Sequence, residues 1–506
     1  MRSVAFAAVA LSAGLLSAAE PTLVAWQTKS GFVPDTTVEA VRFAETNGFG
    51  YVRLEVKPTT DLPALLSAVG PRLGVWIDFV SYDSARAKTA VDQIAAAGIG
   101  PERVVFASGT RWVLESLRSK FPAFRRVWDC RLDYDYVAKN WTVPDARGKG
   151  VPCATADEVA AAVESFVRGL DVWGVAFPSR RFMVEPTVIS ALRKAGLKVV
   201  VNEANDPVTA GYYRRAGADV LTAAHPSFAR EAAWPTEEPK RVKYVGHRGG
   251  DDYLAPEHSA AMARLAAKQR LDILKLDVHE TKDGAIVTSH DPGMKRVYGV
   301  DMQIKDHTLA ELKVPAALPR AGYTNEHLQT LQEILHIARD GVGEFWIDFK
   351  AFTPSCIEKS LAVIDAENVA RSRIMVATYS RPALEYMRDR YPDIRRVMHI
   401  SPWIKYPCGR WQITFNERDF DSLDDMIGEI ARRQRELGLF GVNIPGGISP
   451  FGSFRTETDA LAKIKKLGLW VSIYFPVDPV SADYYRRAGA DAFVTGSSEA
   501  CERRGR

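Results

Sequence analysis

The sequence has few cysteines, little net charge and no long apolar segment beyond its N-terminus. Only 5 of its 506 residues are cysteine, and none has a spacing typical of a zinc site. The 66 basic and 62 acidic residues leave a net charge of +4, and no basic stretch interleaved with aromatics predicts a nucleic-acid partner. With 46% hydrophobic and 25% charged residues, the composition is typical of a globular protein rather than a disordered, fibrous or polytopic membrane protein.

The five cysteines leave two alternatives open. Cys130 and Cys153 are the pair closest in sequence, whereas Cys356, Cys408 and Cys501 lie far apart. A disulfide is compatible with an exported protein, and buried or free thiols are the other interpretation. Because the count is odd, at least one thiol is unpaired.

The N-terminus has the pattern of a secretory signal peptide. A basic residue at position 2 precedes a short apolar run over residues 4–16 and the small residues Ser17-Ala18-Ala19. The run is too short to span a bilayer, and no later segment reaches roughly 18 uninterrupted apolar residues. We therefore expect a signal peptide over residues 1–19, export to the periplasm or the medium, and no transmembrane anchor.

The chain contains an internal repeat. The octapeptide YYRRAGAD occurs at residues 212–219 and again at 484–491, and VWIDF at 75–79 matches FWIDF at 345–349. A longer segment from Arg103 likewise resembles the segment from Arg373. We expect tandem copies of one domain over residues 20–230 and 241–506, joined by a polar, proline-containing linker at 231–240.

Each copy alternates short β-rich runs with helix-period segments. Apolar strands that alternate with helices predict a parallel sheet covered by helices, and this number of units in about 250 residues favours a (β/α)8 barrel. The sequence thus predicts an α/β protein of two tandem TIM-type barrels, the first degenerate. In the second copy the predicted strands are 243–246, 273–278, 286–289, 345–349, 374–378, 397–400, 441–444, 470–474 and 492–495.

Polar motifs follow several strands of the second copy. They are HRGG at 247–250, PEHS at 256–259, LKLDV at 274–278, TKDG at 281–284, SHD at 289–291 and WIDFK at 346–350. Their order resembles the glycerophosphodiester phosphodiesterase family, whose pattern is HRG, PEN or PEH, ExD with TxDG, HD and ExK. TLAELK at 308–313 and QTLQEIL at 329–335 are also similar to family segments. The resemblance covers the second half and implies a (β/α)8 barrel that hydrolyses small phosphodiesters.

The residue types suit this chemistry. Hydrolysis of an anionic diester with a poor leaving group needs positive groups at the phosphoryl oxygens, one proton acceptor and one proton donor. Histidine titrates near neutrality and serves both proton roles. His247 and His290 follow two strands that we expect to be neighbours. The resemblance implies this pair as acid and base, with Arg248 and Lys350 on phosphate, while Glu257 either binds Arg248 or caps the next helix.

The resemblance also implies a divalent cation, Ca²⁺ or Mg²⁺, held by the ExD carboxylates and the ExK glutamate. Asp277 and Asp348 stand at the second and third of these positions, but Lys275 replaces the first carboxylate. Two carboxylates are few for Ca²⁺, whereas Mg²⁺ is bound through one or two. Alternatively, the Lys275 ammonium takes the place of the cation and neutralises phosphate directly. A structural role for Asp348 is also open, because the first copy repeats it as Asp78.

The first copy lacks the catalytic residues. Residues 27–30, aligned with HRGG, read QTKS, and no histidine occurs before His225. Arg53 and Glu55 match Lys275 and Asp277, and Val80 matches Lys350. We expect a degenerate barrel that packs against its sister or contacts substrate.

Other polar and aromatic residues carry no comparable context. Surface or packing roles are expected for the remaining histidines of the second copy, at positions 258, 279, 307, 327, 336 and 399. The aromatic tract WIKYPCGRW at 403–411 either lines a substrate pocket or forms an ordinary loop.

Three functions follow from these patterns. The first is an exported hydrolase of glycerophosphodiesters or another small phosphodiester. The second is a barrel hydrolase or lyase that uses the histidines on a carbohydrate without metal, and the third is a non-catalytic binding protein. The replacement at Lys275 favours the second and third. The sequence predicts no particular oligomeric state.

Overall fold

The computed structural model describes residues 22–25, 37–79, 81–135, 140–179, 184–204, 207–223, 235–250, 254–313, 326–350, 352–405, 410–413, 419–446, 458–476 and 478–496. The chain divides into two compact units, and the main boundary falls between Arg230 and Glu231. Each unit contains its own closed barrel of eight parallel strands. The predicted tandem TIM-type fold is confirmed. The predicted signal peptide lies outside the described residues.

The first barrel has the strand order β1-β2-β3-β4-β5-β9-β10-β11, closed by pairing of β11 with β1. The strands are β1 (Thr22–Ala25), β2 (Tyr51–Val56), β3 (Gly74–Phe79), β4 (Val104–Ser108), β5 (Arg125–Asp129), β6 (Asp133–Asp135), β7 (Asn140–Pro144), β8 (Gly150–Cys153), β9 (Gly174–Pro178), β10 (Lys198–Asn202) and β11 (Val220–Ala223). The helices are α1 (Val38–Thr46), α2 (Leu62–Ser67), α3 (Ser84–Ala96), α4 (Arg111–Lys120), α5 (Ala156–Val167), α6 (Pro186–Lys194) and α7 (Pro207–Arg215).

The second barrel has the order β12-β13-β15-β16-β17-β20-β21-β22, closed by pairing of β22 with β12. The strands are β12 (Lys243–Gly246), β13 (Ile273–Glu280), β14 (Ile286–Thr288), β15 (Glu344–Phe349), β16 (Ile374–Thr378), β17 (Arg395–His399), β18 (Pro402–Lys405), β19 (Arg410–Ile413), β20 (Gly441–Pro445), β21 (Trp470–Tyr474) and β22 (Ala492–Thr495). The helices are α8 (Ala260–Lys268), α9 (Lys295–Tyr298), α10 (Leu309–Leu312), α11 (Leu331–Ala338), α12 (Pro354–Ala366), α13 (Arg381–Arg390), α14 (Leu423–Leu437), α15 (Thr458–Lys466) and α16 (Pro479–Arg487).

Each barrel buries both faces of its strands, which explains their continuous apolar runs. Inside the second barrel, Trp346 packs with a layer of smaller residues that includes Val245 and Val397. Trp76 occupies the corresponding interior place in the first barrel. A second apolar layer in each unit joins the outer strand faces to the helices. The strand ends are thus held on a rigid frame.

The threonine-glutamate segments begin helices by the same device. Thr308 caps α10 and Thr330 caps α11, each forming a reciprocal capping box with the glutamate three residues later. A capping box satisfies two backbone donors that the first helical turn would leave unpaired. These segments therefore set helix starts rather than chemistry.

One expectation about the strands was wrong. The strand predicted at 286–289 is β14, which pairs antiparallel with β13 and lies outside the barrel. The connection between β13 and β14 is a five-residue turn in which Gly284 has φ +84°. Two parallel neighbouring strands need a crossover connection of about a dozen residues or more. A turn this short therefore permits only an antiparallel hairpin. His290 consequently follows a hairpin strand, and it does not end a barrel strand next to β12.

Both barrels carry an antiparallel addition after their fifth strand. The first has the three-stranded sheet β6-β7-β8, and the second has the hairpin β18-β19. The aromatic tract at 403–411 belongs to this hairpin, although residues 406–409 lie outside the described part. No helix in the described part is long and apolar enough to cross a lipid bilayer.

The described cysteines are free thiols. Cys130, Cys153 and Cys356 are all buried and unpaired. This arrangement favours the free-thiol interpretation of the Cys130 and Cys153 pair. Cys408 and Cys501 lie outside the described residues.

Candidate active site

The HRGG segment forms a tight turn at the mouth of the second barrel. Directly after β12, His247–Gly249 makes a short 3-10 turn in which Arg248 has φ +51°. Gly249 and Gly250 have φ +98° and +147°, and a Cβ at either would lie 3.0 or 2.8 Å from the Met262 side chain of α8. Only glycine combines such dihedrals with so close an approach. The turn thereby directs His247 and Arg248 toward the barrel mouth.

His247 lies in a nearly dry environment. Its Nε2 is 2.8 Å from the hydroxyl of Tyr474, at the end of β21, and its ring lies 4.6 Å from that of Phe475. Burial, together with the positive charge of Lys275, holds the pKa of His247 well below its usual value of 6.5. The imidazole is therefore neutral near neutral pH and suited to accept a proton.

His290 lies beside His247 and has an acidic partner. The two ring centroids are 6.5 Å apart, so the structure brings the predicted histidine pair together. The Nδ1 of His290 lies 2.7 Å from Oδ1 of Asp291. Burial lowers the pKa of His290, although the hydrogen bond with Asp291 opposes the shift. Because a carboxylate stabilises the imidazolium, His290 is the better proton donor of the pair.

A carboxylate joins the two arginines at the site. Arg248 donates from Nη1 to Oε2 of Glu257 at 2.9 Å, and Arg296 donates to both oxygens of Glu257. Arg296 also donates from Nε to Asp291 at 2.5 Å. Ser259, and not Glu257, caps the following helix. The first of the two alternatives for Glu257, orientation of Arg248, therefore agrees with the structure.

Two aspartates and two lysines form the floor of the site. Asp277 on β13 lies in register with Asp348 on β15. Lys275 Nζ contacts Asp277 and lies 2.7 Å from Asp348 Oδ2. Lys350 Nζ lies 2.9 Å from Asp277 Oδ1 and 3.2 Å from Asp348 Oδ2. Both ammonium groups therefore bridge the same two carboxylates.

These ion pairs determine the charge of the floor. Burial alone would raise the pKa of Asp277 and Asp348. Lys275, together with His258 beside Asp277 and His399 beside Asp348, outweighs burial and holds both pKa values below their usual range. The same carboxylates raise the pKa of Lys275 against the effect of burial. All three groups therefore stay charged at neutral pH.

The two lysines differ in exposure. The side chain of Lys275 is only 2% exposed, whereas that of Lys350 is 25% exposed. The expectation that Lys275 could neutralise phosphate directly does not fit this burial. Lys350 is the ammonium that faces the opening.

Three further residues contact the site, although the sequence analysis expected surface or packing roles for His258 and His399 and did not name the third. The Nε2 of His258 lies 2.9 Å from Asp277 Oδ2, and the Nε2 of His399 lies 3.4 Å from Asp348 Oδ2. Tyr474, described above, is the third. The only sequence signal was position, because His258 lies inside the PEHS motif and His399 and Tyr474 end predicted or observed strands.

The orientation of His399 follows from its neighbours. Ser472 donates to Asn443 Oδ1 at 2.8 Å, so the amide nitrogen of Asn443 faces His399 Nδ1 at 2.9 Å. The Nδ1 of His399 is therefore the acceptor, and its Nε2 carries the proton that faces Asp348. The Nε2 hydrogen of His399 thus faces the carboxylate and helps to lower the pKa of Asp348.

The floor does not fit a divalent cation. The oxygens of Asp277 and Asp348 that face each other are already bridged by Lys275 and Lys350. In the described part of the chain, no group of three or more His, Cys, Asp or Glu side chains is arranged to hold a metal ion. Hard cations require several oxygen ligands free of competing positive charge. Asp277 and Asp348 are thus ion-pair partners rather than a ligand set.

The first barrel has a corresponding but saturated cluster. Arg53 on β2 contacts Asp78 on β3 and donates to Asp129 at 2.7 Å and to Asn202 at 3.0 Å. Its side chain is 5% exposed. Residues 27–30 and Val80, aligned with HRGG and Lys350, lie outside the described residues.

The second barrel is similar in sequence to known proteins. The model of the glycerophosphoryl diester phosphodiesterase family matches residues 247–499, half of the chain, from the first predicted histidine onward. The chain belongs to this family. The family consists of phosphoric diester hydrolases, and the match covers every motif of the second barrel.

Individual members of the phosphodiesterase family are distant in sequence. A glycerophosphodiester phosphodiesterase of Bacillus subtilis is 27% identical over 183 residues, covering 32% of this chain and 61% of the relative. One of Caldanaerobacter subterraneus is 28% identical over 170 residues, covering 33% of this chain and 67% of the relative. A phosphodiesterase of Oleispira antarctica, solved with its product sn-glycerol-3-phosphate, is 21% identical with a TM-score of 0.41, over 52% of this chain and 95% of that chain.

Proposed function

We propose that the second barrel hydrolyses a small phosphodiester, such as a glycerophosphodiester, by acid–base catalysis with His247 and His290. The observation that carries the proposal is the pair of imidazoles 6.5 Å apart, one neutral and buried, the other paired with a carboxylate. Arg248 and Lys350 supply positive charge beside them. Membership of the family supports the same reaction class.

The residues suggest a division of roles. The diester anion lies between the imidazoles, and Arg248 and Lys350 donate hydrogen bonds to its non-bridging oxygens. His247 takes a proton from a water molecule, whose oxygen bonds to phosphorus. The bond between phosphorus and the alcohol oxygen breaks, and His290 donates a proton to that oxygen. The products are a phosphate monoester and an alcohol, and both histidines then exchange their protons with water.

Phosphorus NMR with a panel of diesters tests this function. Incubation of the protein with glycerophosphocholine, glycerophosphoethanolamine or glycerophosphoglycerol is expected to replace the diester signal by a monoester signal. The shift of the new signal identifies which ester bond was cleaved. If no diester in the panel is consumed, a non-phosphate substrate such as a carbohydrate, or a non-catalytic binding role, becomes the better interpretation.

The pH dependence of kcat/KM tests the division of roles. Activity requires neutral His247 and protonated His290, so it rises through the pKa of His247 and falls through that of His290. Since both pKa values lie below 6.5, with His247 the lower, the optimum is expected on the acid side of pH 6.5. Asp291→Asn removes the carboxylate that opposes the lowering of the His290 pKa. The variant should therefore lose activity at a lower pH than the wild type on the alkaline side of the profile. An unmoved alkaline side would contradict the assignment of His290 as the acid.

Tyr474 is expected to position His247. Tyr474→Phe keeps the ring but removes the hydroxyl that lies 2.8 Å from Nε2. One hydrogen bond is worth about 1 kcal/mol, so kcat should fall about fivefold, with little change in KM. The control is Tyr386→Phe, which removes a hydroxyl that bonds Glu358 on the outer helices. A loss confined to KM would instead make Tyr474 a substrate contact.

We also propose that the protein is exported, because its N-terminal residues have the pattern of a cleaved leader. N-terminal sequencing of the protein recovered outside the cytoplasm should begin near Glu20. A chain that retains Met1 would contradict export by this route.

A further inference from the structure

We propose that this site works without a divalent cation, because the Lys275 and Lys350 ammonium groups occupy the place between Asp277 and Asp348 that a cation would need. The proposal rests on the proposed function, because it assumes that the site binds the phosphoryl group of a diester. It gives the two lysines separate tasks. Lys275 neutralises the carboxylates from the buried side of the site, and Lys350 binds the phosphoryl group on the exposed side.

The first argument for a metal-free site comes from the contacts of the two carboxylates. Lys275 and Lys350 both bridge Asp277 Oδ1 and Asp348 Oδ2, and His258 lies on the second oxygen of Asp277. A cation bound to these oxygens would have to displace two ammonium groups, of which that of Lys275 is buried. Displacement would leave Lys275 charged in the barrel interior without a partner, which is strongly unfavourable.

The second argument for a metal-free site comes from the charge balance at the floor. The ExD pattern has a carboxylate where this chain has Lys275, so the replacement raises the local charge by two units. Two units are the charge that a divalent cation brings. Asp277 and Asp348 with the Lys275 ammonium therefore carry the same net charge as three carboxylates with a divalent cation. The incoming anion thus meets an unchanged total charge at the floor.

The first barrel has a related arrangement. Arg53 faces Trp76 across the β2–β3 pair, as Lys275 faces Trp346 across the β13–β15 pair. Both basic side chains are buried, and both contact the aspartate one residue before the end of the next barrel strand, Asp78 or Asp348. In both copies a fixed side-chain cation therefore stands at this place in the barrel.

The exposure of Lys350 completes the assignment. A lysine ammonium has three N–H donors, and the two carboxylates account for two of those of Lys350. The third is left for a phosphoryl oxygen, on the side where a quarter of this side chain is exposed. Lys275, which is 2% exposed, cannot make this contact. It is a positioning residue that holds Asp277, Asp348 and hence Lys350.

Calorimetry of the chelator-treated wild-type protein tests the proposal directly. Titration with CaCl₂, MgCl₂ or MnCl₂ alone is expected to give no stoichiometric binding, and the melting temperature should not change. Turnover of glycerophosphocholine should change less than twofold between a chelator and millimolar cation. One equivalent of cation bound competitively with glycerol 3-phosphate, or a tenfold loss of turnover in chelator that the cation restores, would overturn the proposal.

Two variants of Lys275 sharpen the test. Lys275→Glu restores a third carboxylate, so CaCl₂ should raise its melting temperature, whereas the matched Lys275→Met should not respond. The proposal would be overturned if CaCl₂ changed the melting temperature of the wild type and of both variants by the same amount, or of none of them. The binding measurements need no turnover. Absence of diester cleavage therefore refutes the proposed function alone, and chelator-sensitive cleavage refutes the metal-free site alone.

Discussion

Replacing His290 with alanine is expected to lower kcat/KM for a small phosphodiester by about 10²- to 10⁴-fold, the usual contribution of one acid–base group. The variant removes the proton donor and leaves Asp291 bound to Arg296. The same loss is expected for His247→Ala, which removes the proton acceptor. Initial rates followed by phosphorus NMR or a coupled assay for the alcohol measure the effect.

The double variant is expected to lose little more than either single variant. An acid and a base that act in the same step contribute non-additively, because removal of one already disables the concerted proton transfers. His336→Ala is the matched control, since His336 is an exposed residue of α11 paired with Glu367. Loss of activity in this control, or full activity in His247→Ala, would refute the two-histidine assignment.

Replacing Arg53 with methionine is expected to destabilise the first barrel by about 3 kcal/mol, at the lower end of the cost of breaking a buried ion pair. The lower end applies because Asp78 and Asp129 are 17% and 25% exposed and gain some hydration. The loss should appear as a lower midpoint of one transition in urea denaturation, followed by tryptophan fluorescence.

The Arg53→Met variant should keep its diesterase activity within twofold below that transition, because every proposed catalytic residue belongs to the second barrel. Arg86→Met is the control. Arg86 is exposed and bonds only Ser81 in the described part of the chain, so its replacement should change the free energy of unfolding by less than about 0.5 kcal/mol. A large loss of turnover in Arg53→Met at full folding would assign the first barrel a part in catalysis.

Much of the architecture could be predicted because its signals are local. All nine strands predicted in the second copy exist, with ends that differ by at most two residues. Residues two apart on a strand share a face, so the LKLDV segment already placed Lys275 and Asp277 together. The repeated octapeptide and the VWIDF-type strand indicate two copies of one barrel.

The direction of β14 and the roles of Tyr474 and His399 could not be predicted for a common reason. The antiparallel direction of β14 depended on turn length, which the apolar pattern does not report. Tyr474 lies 227 residues from His247, and His399 lies far along the chain from Asp348. Neither contact has a sequence spacing that could predict it. The first joins the seventh and first strands of the barrel, and the second joins its fifth and third strands.

By itself, the sequence determined the duplication, the barrel class, the two catalytic candidates and the exchange of a carboxylate for Lys275. These features reside in composition, periodicity and ordered motifs, which are properties of neighbouring residues. Only the tertiary structure decided which charges meet. The parallel pairing of β13 with β15 brings Asp277, Asp348, Lys275 and Lys350 into one cluster. Burial strengthens their mutual ion pairing, which decides what this floor can bind.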